Sequence, residues 1–331
     1  MKEITVKAEN LTKHFPIKRG FFKTLLSKEN PVVHAVDDVS FEIEKEEIFG
    51  VVGESGCGKT TTGRLLLRLI DPTSGKIFFK GKDITNIADA ELRKLRRKLQ
   101  VIFQDPYESL NPRMSIYDIV SEPLHVQKAA KSLEEIKDRV SKVMEDMDLI
   151  PPDEYLYRFP HELSGGQRQR VAIARAFILQ PEFVVADEPV SMLDASIRSE
   201  VAKLILSLVE KFHISFLYIT HDIALSRYMC NRIAVMYLGK MVEKGLTDDV
   251  IQNPFHPYTE ALIAAVPVPD PTARRTEIVL KGEIPSAVNP PSGCRFHTRC
   301  SYAQEICKKK EPQLVESGKN RYVACHFPLG K

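Results

Sequence analysis

The stretch Ile48-Phe-Gly-Val-Val-Gly-Glu-Ser-Gly-Cys-Gly-Lys-Thr60 is the most informative segment of the chain. Its first five residues form a bounded apolar run that predicts a buried strand, and a helical pattern follows over residues 61–69. Between them, residues 53–60 match the phosphate-binding pattern G-x-x-x-x-G-K-[ST] in full. Because the strand, the glycine-rich loop and the helix occur in the order that this motif requires, we expect a P-loop that binds a nucleotide.

Each residue type in this loop has a chemical reason to be there. Glycines let the backbone approach phosphate oxygens closely, and the N–H groups at the start of the next helix face the same anion. Lys59 would bring a positive charge to the outer phosphates, and the Thr60 hydroxyl can ligate Mg²⁺. A chance glycine turn is the alternative, which the flanking elements disfavour. The loop residues expected to bind the nucleotide are Ser55, Gly56, Cys57, Gly58, Lys59, Thr60 and Thr61.

Cys57 allows a further hypothesis about reactivity. Its side chain is small enough to fit the loop. A helix start lowers the pKa of a nearby thiol, so Cys57 is also expected to react with thiol reagents, at a rate that a bound nucleotide should slow.

The composition is that of a soluble globular protein. The chain has 331 residues, of which 43% are hydrophobic and 27% are charged, and this excludes disordered and fibrous classes. Its net charge of +3, from 47 basic and 44 acidic residues, is too close to neutral to indicate a nucleic-acid partner. No apolar run approaches the roughly 18 residues of a membrane helix, and no secretory signal pattern is present, so we expect a cytosolic protein.

Short apolar strands alternate with longer amphipathic helices before residue 250, which predicts an α/β domain with a parallel sheet. Further buried strands are predicted at residues 101–103, 183–186 and 216–219. Apolar residues spaced three and four apart predict a helix over 201–212.

The pattern also suggests how the chain is divided. Helical patterns alone occupy residues from about 105 to 180, which indicates a helical insertion in the sheet domain. Proline and cysteine become frequent after residue 250. We therefore expect a nucleotide-binding domain over residues 1–250 and a small, irregular Pro/Cys-rich C-terminal domain over residues 251–331.

Two more segments are suited to phosphate chemistry. The predicted strand at 183–186 ends in Asp187 and Glu188, so Asp187 could hold Mg²⁺ and Glu188 could act as a general base on water. The segment Leu163-Ser-Gly-Gly-Gln167 precedes a helical pattern, where Ser164 can cap the helix and the glycines leave N–H groups open to a second anion. An ordinary capped helix is the alternative, and physical chemistry alone does not decide between them.

The segment 163–167 resembles the signature motif of ABC-type ATPases, and other motifs of that family occur in the family's order. Gln104 resembles the Q-loop glutamine, Ser191-Met-Leu-Asp194 resembles the D-loop, and His221 resembles the switch histidine. Phe15 occupies the position where the family stacks an aromatic ring on adenine, with His14 as the less favoured candidate. The resemblance implies a P-loop NTPase sheet with a helical insertion.

The resemblance also implies a mechanism. Two such domains would face each other head to tail, with each ATP between the P-loop of one and the Ser164 helix start of the other. Thr60, Gln104 and Asp187 would ligate Mg²⁺, and Glu188, His221, Lys59 and Gln104 would carry the catalytic roles. The implied ATP-binding residues beyond the P-loop are Phe15, Gln104, Ser164, Gly165, Gly166, Gln167 and Asp194.

Four cysteines crowd into the last forty residues, namely Cys294, Cys300, Cys307 and Cys325. Soft thiolates in a cytosolic chain favour zinc or an iron–sulfur cluster over disulfides, and their spacing does not identify the metal.

The segments that carry these cysteines, together with Asn253-Pro-Phe-His-Pro-Tyr-Thr259, resemble the C-terminal region of ATP-binding subunits of oligopeptide/dipeptide importers. In some relatives this region holds a [4Fe–4S] cluster, which the resemblance implies here. Zinc and free thiols stay open as alternatives.

The partners follow from the same resemblance. It implies membrane permease subunits that contact the helical insertion, a second identical or homologous ATP-binding subunit, an extracellular solute-binding protein acting indirectly, and a place at the cytoplasmic face of the cell membrane. The basic segment over residues 18–29 could touch a membrane surface, although a solvated loop is the simpler interpretation.

A soluble ABC ATPase acting on ribosomes or DNA is the alternative function, disfavoured by the single P-loop and the absence of a long heptad tract. A regulatory module without turnover is disfavoured by the complete set of catalytic residues.

Overall fold

The structure is a computed structural model that describes residues 3–17, 31–266 and 282–330. The basic segment over residues 18–29 lies outside the described residues. The chain divides into two compact units. No helix of the described residues has the length and apolar character that crossing a bilayer requires.

The described residues contain twelve strands and twelve α-helices. The strands are β1 (Ile4–Pro16), β2 (Val32–Glu44), β3 (Ile48–Val52), β4 (Ser74–Phe79), β5 (Lys82–Asp83), β6 (Leu99–Ile102), β7 (Phe183–Asp187), β8 (Ser215–Thr220), β9 (Arg232–Tyr237), β10 (Lys240–Leu246), β11 (Val315–Gly318) and β12 (Arg321–Val323). The helices are α1 (Lys59–Leu66), α2 (Asp89–Leu95), α3 (Pro106–Ser109), α4 (Ile116–Val126), α5 (Leu133–Asp146), α6 (Asp153–Leu156), α7 (Gly165–Phe177), α8 (Ala195–Phe212), α9 (Ile223–Met229), α10 (Thr247–Gln252), α11 (Pro257–Ala264) and α12 (Glu305–Lys309).

The first unit comprises the described parts of Met1–Thr5, Ile43–Glu47 and Asn86–Tyr218. Within it, β6 and β7 pair in parallel, from Leu99 opposite Phe183 to Ile102 opposite Ala186. Parallel neighbours need a long crossover connection, and the described chain between them forms α3 to α7 with no strand. The central helix of this crossover is α7, which is buried on most sides and packs on α3, α4, α5, α8 and β6.

The second unit comprises the described parts of Val6–Glu42, Ile48–Thr85 and Ile219–Lys331. Strand β3 is buried along its whole length and pairs in parallel with β9. Strands β9 and β10 form an antiparallel pair, and β12 and β11 extend the sheet beyond β10. A separate antiparallel pairing joins β1 to β4 and β4 to β5.

The predicted elements are confirmed with small shifts of their ends. The strand over 48–52 is reproduced as β3, and the predicted helix over 201–212 is the C-terminal part of α8. In the cysteine-rich region, β12 pairs with β10, with Val323 opposite Glu243. The chain beyond residue 282 therefore shares a sheet with β9 and β10, and a domain boundary at residue 250 stays a prediction.

Candidate nucleotide-binding site

The P-loop adopts a conformation that only glycine accepts at two of its positions. Gly53 has φ 155° and Gly58 has φ 109°, and both angles are rarely adopted by residues with a side chain. A Cβ atom at Gly58 would lie 2.1 Å from the carbonyl oxygen of Ala35, and one at Gly53 would lie 2.3 Å from that of Met236. The loop is therefore held tightly against the backbone of neighbouring segments.

Lys59 lies folded back into this loop. Its Nζ atom donates hydrogen bonds to the carbonyl oxygens of Gly53, at 2.7 Å, and of Glu54, at 3.0 Å. Only 5% of the residue is exposed. The ammonium group thus stands at the centre of the loop, where its charge can attract a phosphate anion.

The pKa of the Cys57 thiol is shifted in the direction opposite to the one that the sequence suggested. The residue is 4% exposed, and burial raises the pKa of its thiol despite the nearby charge of Lys59. The helix start lowers the pKa less than the loss of water raises it. The hypothesis of an activated thiol at this position is therefore wrong.

The side chains of Gln104 and Glu188 meet in the first unit. Strands β6 and β7 are parallel and in register at Ile102 and Ala186, so the residues after both strands emerge at one edge of the sheet. There the Nε2 atom of Gln104 donates a hydrogen bond of 3.2 Å to the Glu188 carboxylate. Asp187, the last residue of β7, is half-buried next to it.

The backbone reverses direction directly after this carboxylate. Glu188 has φ 46°, which is uncommon for a residue other than glycine and is found mainly at turns and functional sites. Its carbonyl oxygen accepts hydrogen bonds from the backbone N–H of Ser191, at 3.2 Å, and from the Ser191 hydroxyl, at 3.0 Å. Asp194 follows this turn as the exposed N-cap position of α8, and its carboxylate makes no capping hydrogen bond.

Helix α7 begins at a capping box. The Ser164 hydroxyl accepts a hydrogen bond from the N–H of Gln167 at 3.3 Å, and the Gln167 side-chain oxygen accepts one from the N–H of Ser164 at 3.0 Å. A Cβ atom at Gly166 would lie 2.7 Å from the Ile197 side chain, whereas the nearest atom to one at Gly165 is 3.6 Å away. Gly166 thus allows α7 to approach α8, while Ser164 at the helix start stays exposed.

Two predicted residues lie in the second unit outside the P-loop. His221 is exposed and follows β8, between Thr220 and the N-cap residue of α9. Phe15 lies near the end of β1 with 38% of its surface exposed and with the Lys13 ammonium 5.0 Å from its ring centre. The His14 ring instead packs on His34, with its Nε2 atom 3.4 Å from the Asp37 carboxylate. Of the two adenine-stacking candidates, Phe15 is the more exposed, whereas His14 is half-buried against His34.

All four C-terminal cysteines line a single cavity. Burial, together with the charge of the neighbouring thiols, raises the pKa of Cys294 to about 12 and that of Cys325 to about 11. Each anionic sulfur would repel the others, so the group needs a cation before it can ionise. His256 also lines this cavity, and its Nε2 atom has no hydrogen-bond partner among the described residues.

Several residues that contact the P-loop have no recognisable signal in the sequence. The carboxylate of Glu54 pairs with Arg299, and the backbone N–H of Glu54 donates to the hydroxyl of Tyr258. These partners follow Glu54 by 245 and 204 residues. No local pattern in the sequence could have identified them.

Comparison with known protein families matches both halves of the chain. A model of the ABC transporter family matches residues 36–191, and a model of the oligopeptide/dipeptide transporter C-terminal region matches residues 242–307. The chain is 47% identical over 326 residues to the probable peptide ABC transporter ATP-binding protein y4tS of Sinorhizobium fredii, which covers 98% of this chain and 90% of that protein. It is 45% identical over 329 residues to the oligopeptide transport ATP-binding protein AppF of Bacillus subtilis, which covers 98% of each chain.

Solved structures agree with these matches. The dimeric post-hydrolysis state of the ATP-binding cassette MJ0796, bound to ADP and Pi, superimposes with a TM-score of 0.63 at 29% identity. The alignment covers 73% of this chain and 98% of that chain. The ABC transporter component cbiO1 of Clostridium perfringens gives a TM-score of 0.64 at 26% identity, over 76% of this chain and 91% of that chain. The fold is that of an ABC ATPase nucleotide-binding domain.

Proposed function

Because the chain belongs to the family of peptide ABC transporter ATP-binding proteins, we propose that it hydrolyses ATP to drive the import of peptides or similar small solutes. The observation that carries the proposal is the P-loop, whose glycines and buried Lys59 form a cradle for phosphate between β3 and α1. A soluble ABC ATPase that acts on ribosomes or DNA is disfavoured by the match of residues 242–307 to a transporter region.

In the proposed chemistry, the P-loop backbone and Lys59 bind the phosphates, and Thr60 would contribute a hydroxyl ligand to Mg²⁺. Gln104 and Asp187 are the residues proposed to supply further oxygen ligands suited to that hard cation, which when bound would neutralise developing phosphate charge. Glu188, which accepts the Gln104 hydrogen bond, orients and deprotonates the attacking water, and His221 contacts the γ-phosphate.

A second ATP-binding subunit completes the site in this proposal. The chain carries two helix starts suited to anions, at α1 and at α7, roughly a hundred residues apart. In a head-to-tail pair, the α7 start of one subunit, with Ser164, Gly165, Gly166 and Gln167, would cover the ATP held by the P-loop of the other, and Asp194 would line the same interface. Hydrolysis removes the shared phosphate charge and lets the pair open.

Membrane permease subunits are the proposed recipients of this motion. They would contact the helices between β6 and β7, at the cytoplasmic face of the cell membrane, and an extracellular solute-binding protein would deliver the solute to them. The support is the family itself, since its relatives carry transport names. Membrane fractions should contain the chain only when the permease subunits are co-expressed. A chain that stays in the soluble fraction in their presence would contradict the proposal.

For the cysteine cavity we propose a [4Fe–4S] cluster as the bound group, and the donor set fits it. The one group of three metal-ligating side chains within 4.8 Å of one another among the described residues is His14, His34 and Asp37, so no three cysteine sulfurs are that close. Four sulfurs around one zinc ion, each about 2.3 Å from it, would lie about 3.8 Å apart. Cysteine sulfurs that lie further apart than this fit a four-iron cluster, in which each thiolate would bind a different iron, better than they fit a single zinc ion.

His256 adds a second observation in favour of an anionic sulfur group. Its Nδ1 atom accepts a hydrogen bond of 3.0 Å from the N–H of Tyr258, which leaves the proton of the neutral ring on Nε2. Complete burial lowers the pKa of His256 to about 3, so the ring stays neutral. An unpartnered buried N–H in the cavity wall is suited to donate to a thiolate or sulfide. Such hydrogen bonds tune iron–sulfur centres.

Anaerobic purification tests the cluster. Visible absorption together with about four iron atoms per chain would support it, and removal of any one of the four cysteines should reduce the iron content. Stoichiometric zinc, or a colourless chain that contains no metal, would refute it. This outcome leaves the ATPase proposal intact, because that proposal rests on the P-loop.

Magnesium-dependent ATP hydrolysis tests the main function. The purified complex should hydrolyse ATP with Mg²⁺ and stop when the metal is chelated, and transport of a peptide into vesicles should require the same conditions. Hydrolysis that is unaffected by removal of Mg²⁺, or transport that proceeds without ATP, would contradict the proposal.

A further inference from the structure

Glu54, the second residue of the P-loop, is held at three points. Its backbone N–H donates a hydrogen bond of 2.9 Å to the hydroxyl of Tyr258. Its carboxylate accepts two hydrogen bonds from Arg299, at 2.7 Å and 3.0 Å. Its carbonyl oxygen accepts the bond from the Lys59 ammonium at 3.0 Å. The position of this one residue therefore fixes one of the two oxygens that hold the phosphate-binding lysine.

The ion pair between Arg299 and Glu54 has the geometry of a strong contact. Two parallel N–H donors of the guanidinium face the two oxygens of one carboxylate, an arrangement that also fixes orientation. The Arg299 side chain is only 7% exposed, and its charge lies 5.9 Å from the centre of the Tyr237 ring. Because the pair is largely shielded from water, loss of either partner leaves the other charge poorly compensated.

Both partners of Glu54 belong to segments that form the wall of the cysteine cavity. Arg299 directly precedes Cys300, and the backbone N–H groups of both residues donate to the carbonyl oxygen of Phe296, each at 3.0 Å. Tyr258 lies next to Pro257, which lines the same cavity. A change in the cavity wall is thus transmitted through a short, hydrogen-bonded path to the P-loop.

We propose that Arg299 is a positioning residue of the nucleotide site, which couples the state of the cysteine cavity to nucleotide affinity through Glu54. This inference rests on the proposed binding of ATP at the P-loop, and it does not depend on which group the cavity holds. Coupling between two sites is reciprocal. If a group bound in the cavity changes the affinity for nucleotide by some factor, a bound nucleotide must change the affinity of the cavity for that group by the same factor.

Calorimetric titration of the full-length chain with MgADP tests the positioning role. Arg299→Gln and Glu54→Gln should each weaken binding by about tenfold, within the range typical of coupled sites. Since each variant removes the same pair, the double variant should lose little more than either single one. Lys308→Gln, which removes an exposed partner of Glu305 in the same segment, is the control and should bind as the unmodified chain does.

Two results would overturn the positioning role. One is an unchanged affinity in Arg299→Gln, and the other is a double variant whose loss is the sum of both single losses. Arg299→Lys separates charge from geometry, since a lysine keeps the charge without the paired donors and should recover only part of the affinity. If the unmodified chain does not bind MgADP at all, the ATPase proposal itself fails, so the two failures are distinguishable.

Thiol labelling tests the coupling from the cavity side. In metal-free protein, mass spectrometry of labelled peptides follows alkylation of Cys294, Cys300, Cys307 and Cys325 separately. Saturating MgADP should change the labelling rates severalfold in the unmodified chain and leave them unchanged in Arg299→Gln at nucleotide concentrations that saturate both. An equal effect of MgADP in both chains would refute the coupling, as would no effect in the unmodified chain.

Discussion

Replacing Gly58 by alanine, with Gly56 as the matched control, tests whether the P-loop requires glycine for steric reasons. At residue 58 an added Cβ would lie 2.1 Å from the carbonyl oxygen of Ala35. The backbone of residue 58 fixes the position of the Cβ, and the oxygen belongs to the backbone of Ala35, so neither atom can rotate away. The φ angle of 109° adds strain of about 1–3 kcal/mol, and relief of the overlap costs about 1–3 kcal/mol more. The Gly58→Ala variant should therefore lose about 2–6 kcal/mol of stability.

Residue 56 needs glycine for its backbone angle but not for lack of space. Its φ angle is 76°, and no atom lies within 4 Å of an added Cβ. An alanine there costs about 1–2 kcal/mol for the left-handed conformation. The reduced flexibility of the unfolded chain offsets about 0.4–1 kcal/mol in both variants alike, so it cancels from their comparison. Gly58→Ala should thus be less stable than Gly56→Ala by roughly 3 kcal/mol.

Thermal unfolding of the nucleotide-free chains, followed by circular dichroism, measures this difference. At about 2 °C per kcal/mol for a chain of this size, the apparent Tm of Gly58→Ala should lie about 6 °C below that of Gly56→Ala. Gly58→Ala should also lose MgADP binding, because the start of α1 and the Lys59 ammonium shift with the loop. Equal Tm values for the two variants would refute the steric reasoning.

Three further outcomes are expected. Glu188→Gln should bind ATP with near-normal affinity and hydrolyse it at least a hundredfold more slowly, because the amide can still accept the Gln104 hydrogen bond but is not a base. Normal steady-state turnover in this variant would contradict the role of Glu188 as the base. Lys59→Ala should weaken nucleotide binding itself, and an unchanged affinity by calorimetry would contradict the role of its ammonium. Cys57 should be alkylated far more slowly than a free thiol at pH 7 to 8, with a rate that rises with pH, because burial raises its pKa and so lowers the thiolate fraction; a rate equal to that of free cysteine would be inconsistent with this burial.

Local chemistry made the P-loop and its flanking elements predictable. The glycine pattern specifies backbone angles that other residues do not adopt, so residues 48–60 had one consistent interpretation. The ends of elements were less certain. The helix expected after the segment 163–167 already begins within that segment, at Gly165, because the Ser164 and Gln167 capping box starts it there. The strand predicted over 101–103 is β6 (Leu99–Ile102), since its ends are set by pairing with β7.

Contacts between distant parts of the chain could not be predicted from the sequence. The expected lowering of the Cys57 pKa was wrong because burial raises that pKa, and the burial depends on the tertiary fold. The Cys57 carbonyl oxygen, for example, accepts a hydrogen bond from the N–H of Gly239, a residue far along the chain that no local pattern reveals. The Arg299 pair with Glu54 joins residues 245 positions apart, and a single sequence contains no trace of that contact. The crowding of the four cysteines did suggest one site, and they do line one cavity.

The most direct test asks whether one subunit holds only half of each catalytic site. It measures the rate of ATP hydrolysis per chain as a function of chain concentration, while light scattering follows the molecular mass. The specific rate should fall towards zero as the protein becomes monomeric on dilution. It should return when a second ATP-binding subunit, identical or homologous, is added in excess. A strictly monomeric chain that hydrolyses ATP at the full rate at every dilution would contradict the shared site.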